Sequence, residues 1–398
     1  MSQVRVLLGA FFLFNAVFLT KEPQCLSSRE RHIFSGLMPI TSTRRHYIAA
    51  GLAAAFLFGA GTQGSKYLLG SVPPATMAGL LFLGSGASLL FIQAAFAVLG
   101  RRRSHSEATL SRGDIPWLFL TMLIGSFLGP VVLMFSLPHT PGATAALLLN
   151  FEGIATMLIA ALWVGEPVDR RIGISIVVIA TSCAMLTYKP EAAYGISLGA
   201  LGVITACTIW GLDNNIIQRI SNKDPLTIIM VKGLGAGILS LALGRYLGEA
   251  LPPPSIAMVA MGVGCLSFGG LMSICLVLAI RGLGSARGSA LFSLSPFFGV
   301  GFAFLLFADT PGPVFFAALG LMIVGSFLLI TEHHTHTHIH PKELHEHRHR
   351  HDDLHHAHDH DSDAPPLDAL LYHSHLHAHE EMEHTHPHSP DIHHRHRH

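Results

Sequence analysis

The sequence predicts an all-α membrane protein: ten transmembrane helices arranged as two inverted five-helix repeats, followed by a disordered histidine-rich tail. Three observations carry that expectation. Half of the 398 residues are hydrophobic and only 13% are charged, against about 25% charged in an ordinary soluble chain. From Tyr47 to Ile330 the chain is apolar with short breaks. From His333 to His398 it is polar, and it holds all of the histidines except His32, His46, His105 and His139.

The apolar runs fall at about 47–69, 75–99, 115–137, 142–164, 168–188, 196–218, 226–247, 255–280, 285–307 and 312–331. They suit a hydrocarbon layer about 30 Å thick. The breaks between them carry Pro, Gly or clustered charge, and connections as short as "LPHTPG" and "NKDP" make neighbouring helices antiparallel. Glycine is frequent within the runs, as where membrane helices approach backbone to backbone.

Orientation follows from Lys and Arg. With helix 1 starting inside, the inner loops hold Arg44, Arg45, Arg101, Arg102, Arg103, Arg112, Arg170, Arg171, Arg219, Lys223, Arg281 and Arg287. The outer side holds only Lys66, Lys189 and Arg245. An even number of helices then puts the tail in the cytoplasm. The segment 1–46 stands apart. "VRVLLGAFFLFNAVFLT" is apolar but short, it lacks a small-residue cleavage site, and as an eleventh span it would invert Arg44 and Arg45. An over-extended start is expected, with the protein beginning near Met38.

The membrane region reads as a duplication, 47–188 and 196–331, with the tail at 332–398. "GATAALLLNFEGIATMLIAALWVGE" (142–166) aligns without a gap to "SARGSALFSLSPFFGVGFAFLLFAD" (285–309), matching Ala143/Ala286, Leu148/Leu291, Ala160/Ala303 and Leu162/Leu305. Both segments begin with small residues, carry an irregular Gly153 or Pro296 at the same place, and end in an acid. "FGAGTQ" of helix 1 corresponds loosely to "WGLDNN" of helix 6. Five helices per unit is an odd number, so the second unit is inserted upside down. Secondary transporters commonly place a site at the interface of such repeats.

With "WVGEP" closing helix 4 and "SARGSALFSLSP" opening helix 9, the ten-helix layout resembles the EamA family of the drug/metabolite transporter superfamily. The likeness covers Tyr47 to Ile330. It is closer still to a bacterial branch carrying "LLNFEG", "WGLDNN", "KGLGAG" and a histidine-rich tail. The resemblance implies two five-helix inverted repeats, alternating access and transport of small metabolites across a bacterial inner membrane. Many members have a proline where this chain has Glu152–Gly153. Only the second repeat keeps it, at Pro296.

Helical rise gives the depth of the ionisable residues. Glu152 lies ten residues past the outer turn at Gly142, so roughly 15 Å into a layer about 30 Å thick. Asp213 precedes the inner turn near Asn222 and Lys232 follows it, each also roughly 14–15 Å deep. Asn214 and Asn215 adjoin Asp213, and Asn150 is close to Glu152. A charge at a helix centre costs about 2.5–3.5 kcal/mol, so three facing lipid would cost on the order of 8–10. They are therefore expected to face the bundle interior, to pair, or to line a wet cavity. Asp213 and Lys232 can neutralise each other, which leaves Glu152 without an ionic partner. That isolation suits a group that binds solute or takes up and releases a proton, and Lys232 could alternatively anchor a carboxylate-bearing solute.

The remaining candidates read more plainly. Glu166 and Asp309 sit near water at helix ends, Arg287 near the inner mouth, and Lys66 near the outer end, where its stem can snorkel. Trp163 and Trp210 suit packing or interface positions. Cys25, Cys183, Cys207, Cys265 and Cys275 form no CxxC and read as small packing residues. No P-loop occurs and no signature of catalysis stands out, so no enzyme is expected. Balanced charges, 25 basic and 25 acidic residues, exclude a nucleic-acid partner.

The tail repeats HxH and HH among acids. Imidazole suits Ni, Co, Cu and Zn, and HxH can offer two ligands to one ion. The expected metal-binding residues are His336, His338, His340, His347, His349, His351, His373, His375, His377, His379, His384, His386, His388, His394, His396 and His398. Irregular spacing without cysteine predicts a disordered, multi-site binder rather than one structural zinc site. The alternative is a solvated tail that responds to pH near 6.5.

Three functions follow. The first is a secondary transporter of a small polar metabolite, proton-coupled through Glu152, with no required cofactor. The second is a divalent-metal transporter for Ni, Co or Zn with the tail as collector or sensor. It is opposed by Lys232 and by the lack of histidine at the midplane. The third is a membrane-anchored metal store or sensor. The expected partners are the lipid bilayer, a small-molecule solute, divalent metal ions at the tail and a second copy in a homodimer.

Overall fold

The computed structural model describes residues 40–98, 108–163, 170–189, 195–221, 223–307, 310–330, 335–340, 343–349, 373–379 and 382–387. The proposed start at Met38, Glu166, Asp309 and the tail residues His351, His388, His394, His396 and His398 lie outside them.

The membrane region is helical throughout. Its elements are α1 (Ile40–Leu68), α2 (Pro74–Val98), α3 (Arg112–His139), α4a (Gly142–Leu148), α4b (Phe151–Trp163), α5 (Arg170–Thr187), α6 (Leu198–Ile217), α7 (Pro225–Tyr246), α8a (Pro254–Ser267), α8b (Leu271–Leu283), α9a (Ser285–Phe292), α9b (Ser295–Leu306) and α10 (Pro313–Ile330). Among the described residues nine helical stretches are long and apolar enough to cross a membrane, and a further one, Pro313–Leu329, is apolar but shorter. Large apolar side chains such as Phe91, Leu162, Val177 and Leu305 stay exposed on the outside of the bundle. Facing lipid, such side chains carry no penalty.

Helices 4, 8 and 9, expected to be continuous, are each broken, and helix 3 is irregular. In α9 the cause is Pro296, which lacks an N–H and disfavours helical geometry just before it; the turn falls at Ser293–Leu294. In α8 Gly269 adopts a φ of 113°, which a side chain would resist. A Cβ there would also lie 2.5 Å from Ser85 Oγ of α2. In α4 the turn is at Leu149–Asn150, where Asn150 and Glu152 donate to carbonyls only three residues back, those of Leu147 and Leu149. In α3 a π-helical segment, Met122–Leu128, interrupts the α-helix.

The contacts come in related pairs. The most extensive is α2 against α7. A Cβ on Gly79 would lie 2.7 Å from Leu241 Cγ, and one on Gly237 would lie 2.7 Å from Leu83 Cγ. Residues 79 and 83 of α2 thus exchange roles with 237 and 241 of α7. Likewise Gly59 of α1 is pressed against Ser295 and Gly299 of α9b, as Gly211 of α6 is against Ala155 and Thr156 of α4b. Between α5 and α10, Ser175 Oγ donates to Gly325 O at 2.7 Å and Ser182 Oγ to Ala318 O at 2.8 Å. These are the interhelical hydrogen bonds that substitute for hydrophobic drive in lipid.

In the tail the described residues form four short strands. β1 (Thr335–His340) pairs antiparallel with β4 (Met382–Pro387), and β2 (Glu343–His349) with β3 (His373–His379). The reason lies in the HxH alternation, whose two-residue period is that of a strand.

Candidate functional site

The site grows from the irregularity in α3. Within the π segment Gly129 N–H donates to Ile124 O, five residues back. The next donor in that register would be residue 130, a proline with no N–H. The Gly125 carbonyl is thereby left without a helical partner, and the Trp210 indole of α6 takes it, with Nε1 donating at 2.8 Å. Gly125 also lacks the Cβ that would overlap the Asp213 carboxylate. A freed carbonyl and a missing side chain together bring α6 onto α3.

Three consecutive residues of α6, about 100° apart on a helix, then reach two neighbouring helices, α7 and α4b. Asp213 Oδ2 accepts from Lys232 Nζ of α7 at 2.8 Å, and both side chains are buried. Asn214 Nδ2 donates to Glu152 Oε1 of α4b at 3.0 Å and to Thr156 Oγ1 at 3.1 Å. Asn215 Nδ2 donates to Thr156 O at 3.0 Å and to Gly211 O at 2.8 Å. The convergence expected of Glu152, Asp213, Asn214, Asn215 and Lys232 is present. Glu152 has no cationic partner among the described residues, but its Oε1 is held by Asn214. Asn150 sits at the α4 break, and its buried Nδ2 has no hydrogen-bond partner among the described residues.

Glu152 and Lys232 both face a cavity of about 270 Å³. Its polar wall is completed by Ser85, Ser126 and Ser273, and its apolar wall is Trp210 with the rings of Phe58, Phe82, Phe268 and Phe292. The aromatic and serine lining was not singled out by sequence. Trp210, read there as packing or interface, both lines the cavity and fastens α3. The one usable sequence signal was Gly125–Pro130, a helix-breaking pair next to polar neighbours. Among the described residues no group of three His, Cys, Asp or Glu side chains is arranged to hold a metal ion.

The cavity reaches from the level of the helix breaks toward the end where α6 finishes, at Ile217. At the opposite end α1 is tied to the turn after α3. Lys66 Nζ of α1 does not simply snorkel, as expected. It donates to the Leu137 and Thr140 carbonyls at 2.6 Å each and lies 5.5 Å from the Phe307 ring centroid. The cause is the short 3₁₀ turn Leu137–His139 that ends α3, whose carbonyls need donors. One helical turn along, Gln63 Nε2 donates to Gly142 O at 3.2 Å. α1 is thus bound at two points to the turn between α3 and α4.

Comparison with known proteins agrees with this architecture. The chain is 28% identical over 290 residues, 70% of its length and 84% of the relative's, to an uncharacterized transporter of Methanothermobacter thermautotrophicus. It shares its fold with a protein of known crystal structure, at a TM-score of 0.50 and 19% identity, over 71% of this chain and 95% of that one. Residues 45–188 and, separately, 197–331 each match the EamA-like transporter family, and the chain belongs to that family of membrane transporters.

Proposed function

We propose that the protein is a secondary transporter that moves a small polar metabolite across the inner membrane of a bacterium by alternating access, coupled to protons through Glu152. The observation that carries this reading is the carboxylate of Glu152. It faces a cavity at the level of the helix breaks, bonded to Asn214 and without a cationic partner among the described residues. Ionisable groups within membrane segments belong to solute and proton pathways, and irregular backbone at that depth is tolerated where it lines a cavity.

Ten spanning helices in two inverted five-helix repeats form the frame. The exchange of roles between Gly79/Leu83 and Gly237/Leu241, and between Gly59 and Gly211, supports this arrangement, as does the double family match. The ties of Lys66 and Gln63 at one end, with the cavity extending toward the other, fit one state of an alternating-access cycle. The excess of Lys and Arg on the inner loops supports a cytoplasmic tail. That tail binds Ni, Co or Zn in this reading. Its register sets His336 opposite His386, His338 opposite His384, His345 opposite His377, His347 opposite His375 and His349 opposite His373.

Counterflow in proteoliposomes tests the proposal, with a panel of labelled metabolites and Ni, Co and Zn. The proteins compared are the full chain, a truncation after Thr331 and Glu152→Gln. Metabolite flux is expected to survive truncation and to be lost in Glu152→Gln, with no metal flux. Metal flux that persists without the tail would instead make the membrane domain a metal transporter.

A further inference from the structure

The cavity has a chemistry more specific than polarity. Lys232 reaches its wall already neutralised, with Nζ 2.8 Å from Asp213 Oδ2. Glu152 has only a neutral amide on Oε1. With Glu152 ionised, these three groups carry one more negative charge than positive. The same cavity is lined by five rings, Phe58, Phe82, Phe268, Phe292 and Trp210. An aromatic face attracts cations and apolar groups alike.

A second feature points the same way. Ser85 is fully buried, it lines the cavity, and its Oγ has no hydrogen-bond partner among the described residues. The α8 break holds Gly269 against that hydroxyl, where a Cβ would come within 2.5 Å. A buried hydroxyl without a partner is costly unless a ligand or water meets it. At about 270 Å³ the cavity is at the small end of ligand sites, which run to about 300–1,000 Å³. It has room for a body of one ring.

Resting on the reading of this cavity as the solute site, we propose that its solute is a small amphiphilic amine: a single aromatic or branched apolar body carrying one protonated amino group. The ammonium donates to the free oxygen of Glu152, a charge-assisted bond. The body lies among the phenylalanine rings, and Ser85 Oγ is available to a further polar group. A carboxylate-bearing solute is disfavoured, because Lys232 would first have to leave Asp213.

Equilibrium binding to the full chain in detergent decides among four probes: 2-phenylethylamine, 3-phenylpropionate, phenylalanine and ethylamine. 2-Phenylethylamine is expected to bind at least about tenfold tighter than the anion of similar shape and than the amine without a ring. Phe268→Ala should weaken it several-fold. Glu152→Gln should abolish it, and Glu152→Asp, which keeps the charge, should retain part of it. Tighter binding of 3-phenylpropionate or phenylalanine, lost in Glu152→Gln, overturns the solute class and leaves the transport site standing. Unchanged 2-phenylethylamine binding in both Glu152 variants overturns the role of the acid. Binding of none of the four overturns the proposal. If the full chain then also shows no metabolite counterflow in proteoliposomes, the transporter reading falls with it.

Discussion

Removing either member of the Asp213–Lys232 pair should destabilise the protein far more than removing both. In Asp213→Asn the ammonium of Lys232 stays buried beside a neutral amide. In Lys232→Met the carboxylate of Asp213 is stranded. Each single variant should lose about 3–5 kcal/mol, as broken buried pairs do elsewhere. The double variant Asp213→Asn/Lys232→Met strands no charge and should come within about 1–2 kcal/mol of the parent. The assay is reversible unfolding in mixed micelles by increasing SDS, followed by circular dichroism, and the four proteins form a double-mutant cycle. A coupling energy near zero, with the double variant losing the sum of the singles, would refute the reasoning. The two groups would then act independently, and the 2.8 Å contact would not be the unit that keeps them buried.

Three further outcomes follow from neighbouring contacts. Gly125→Ala puts a methyl group into the Asp213 carboxylate. It should cost about 1–3 kcal/mol as an overpacked site and should lower transport, read by the same unfolding assay and by counterflow. Trp210→Phe leaves the Gly125 carbonyl without a donor. About 1–3 kcal/mol should be lost, while Trp163→Phe, on an exposed residue, should cost less than about 0.5. Lys66→Met removes the donor to Leu137 and Thr140. It should raise the labelling rate of a cysteine placed at Gly142 by a membrane-impermeant thiol reagent, in a background lacking the native cysteines; an unchanged rate would show that α1 is held by other contacts.

The spans were legible because a bilayer imposes one strong rule: about twenty apolar residues between breaks. That Glu152, Asp213 and Lys232 lie far from the ends of their spans was legible for a related reason, since a fixed rise per residue turns counting into distance. Their meeting followed from cost, because no arrangement facing lipid is tolerable. The aromatic wall was not legible. Phe58, Phe82, Phe268 and Phe292 resemble the phenylalanines that face lipid, and in a chain with hydrophobic surroundings on both sides apolar periodicity no longer separates inside from outside. The break that puts Asn150 on the α4 turn was not legible either, since the run Leu147–Leu158 reads as one continuous apolar helix. Lys66 was misjudged because its carbonyl partners lie some seventy residues away, in a turn whose 3₁₀ geometry no composition rule announces.

The irregular helices suggest where such a site must lie. A membrane helix satisfies its own backbone, and a break exposes carbonyls that lipid cannot meet. Each break must therefore be repaired by a protein donor or open onto a polar cavity. Here the repairs are visible: Trp210 on Gly125 O, Cys207 Sγ near the Leu148 and Leu149 carbonyls at 3.6 and 3.8 Å, and Lys66 on the turn after α3. Both Trp210 and Cys207 come from α6, the helix that also carries Asp213, Asn214 and Asn215. One helix thus repairs the breaks in α3 and α4 and supplies the polar face between them. If the second half is an inverted copy of the first, α1 should do the same for α8 and α9. There it makes close contacts, with Gly59 against α9b and Gly61 against Ser267 of α8a, but where α6 has Trp210 and Cys207 it has Phe58 and Ala55, which carry no side-chain donor. On the proposed duplication, the close approach is kept in both halves while the charge lies in only one, and the proposed solute site falls on the charged side.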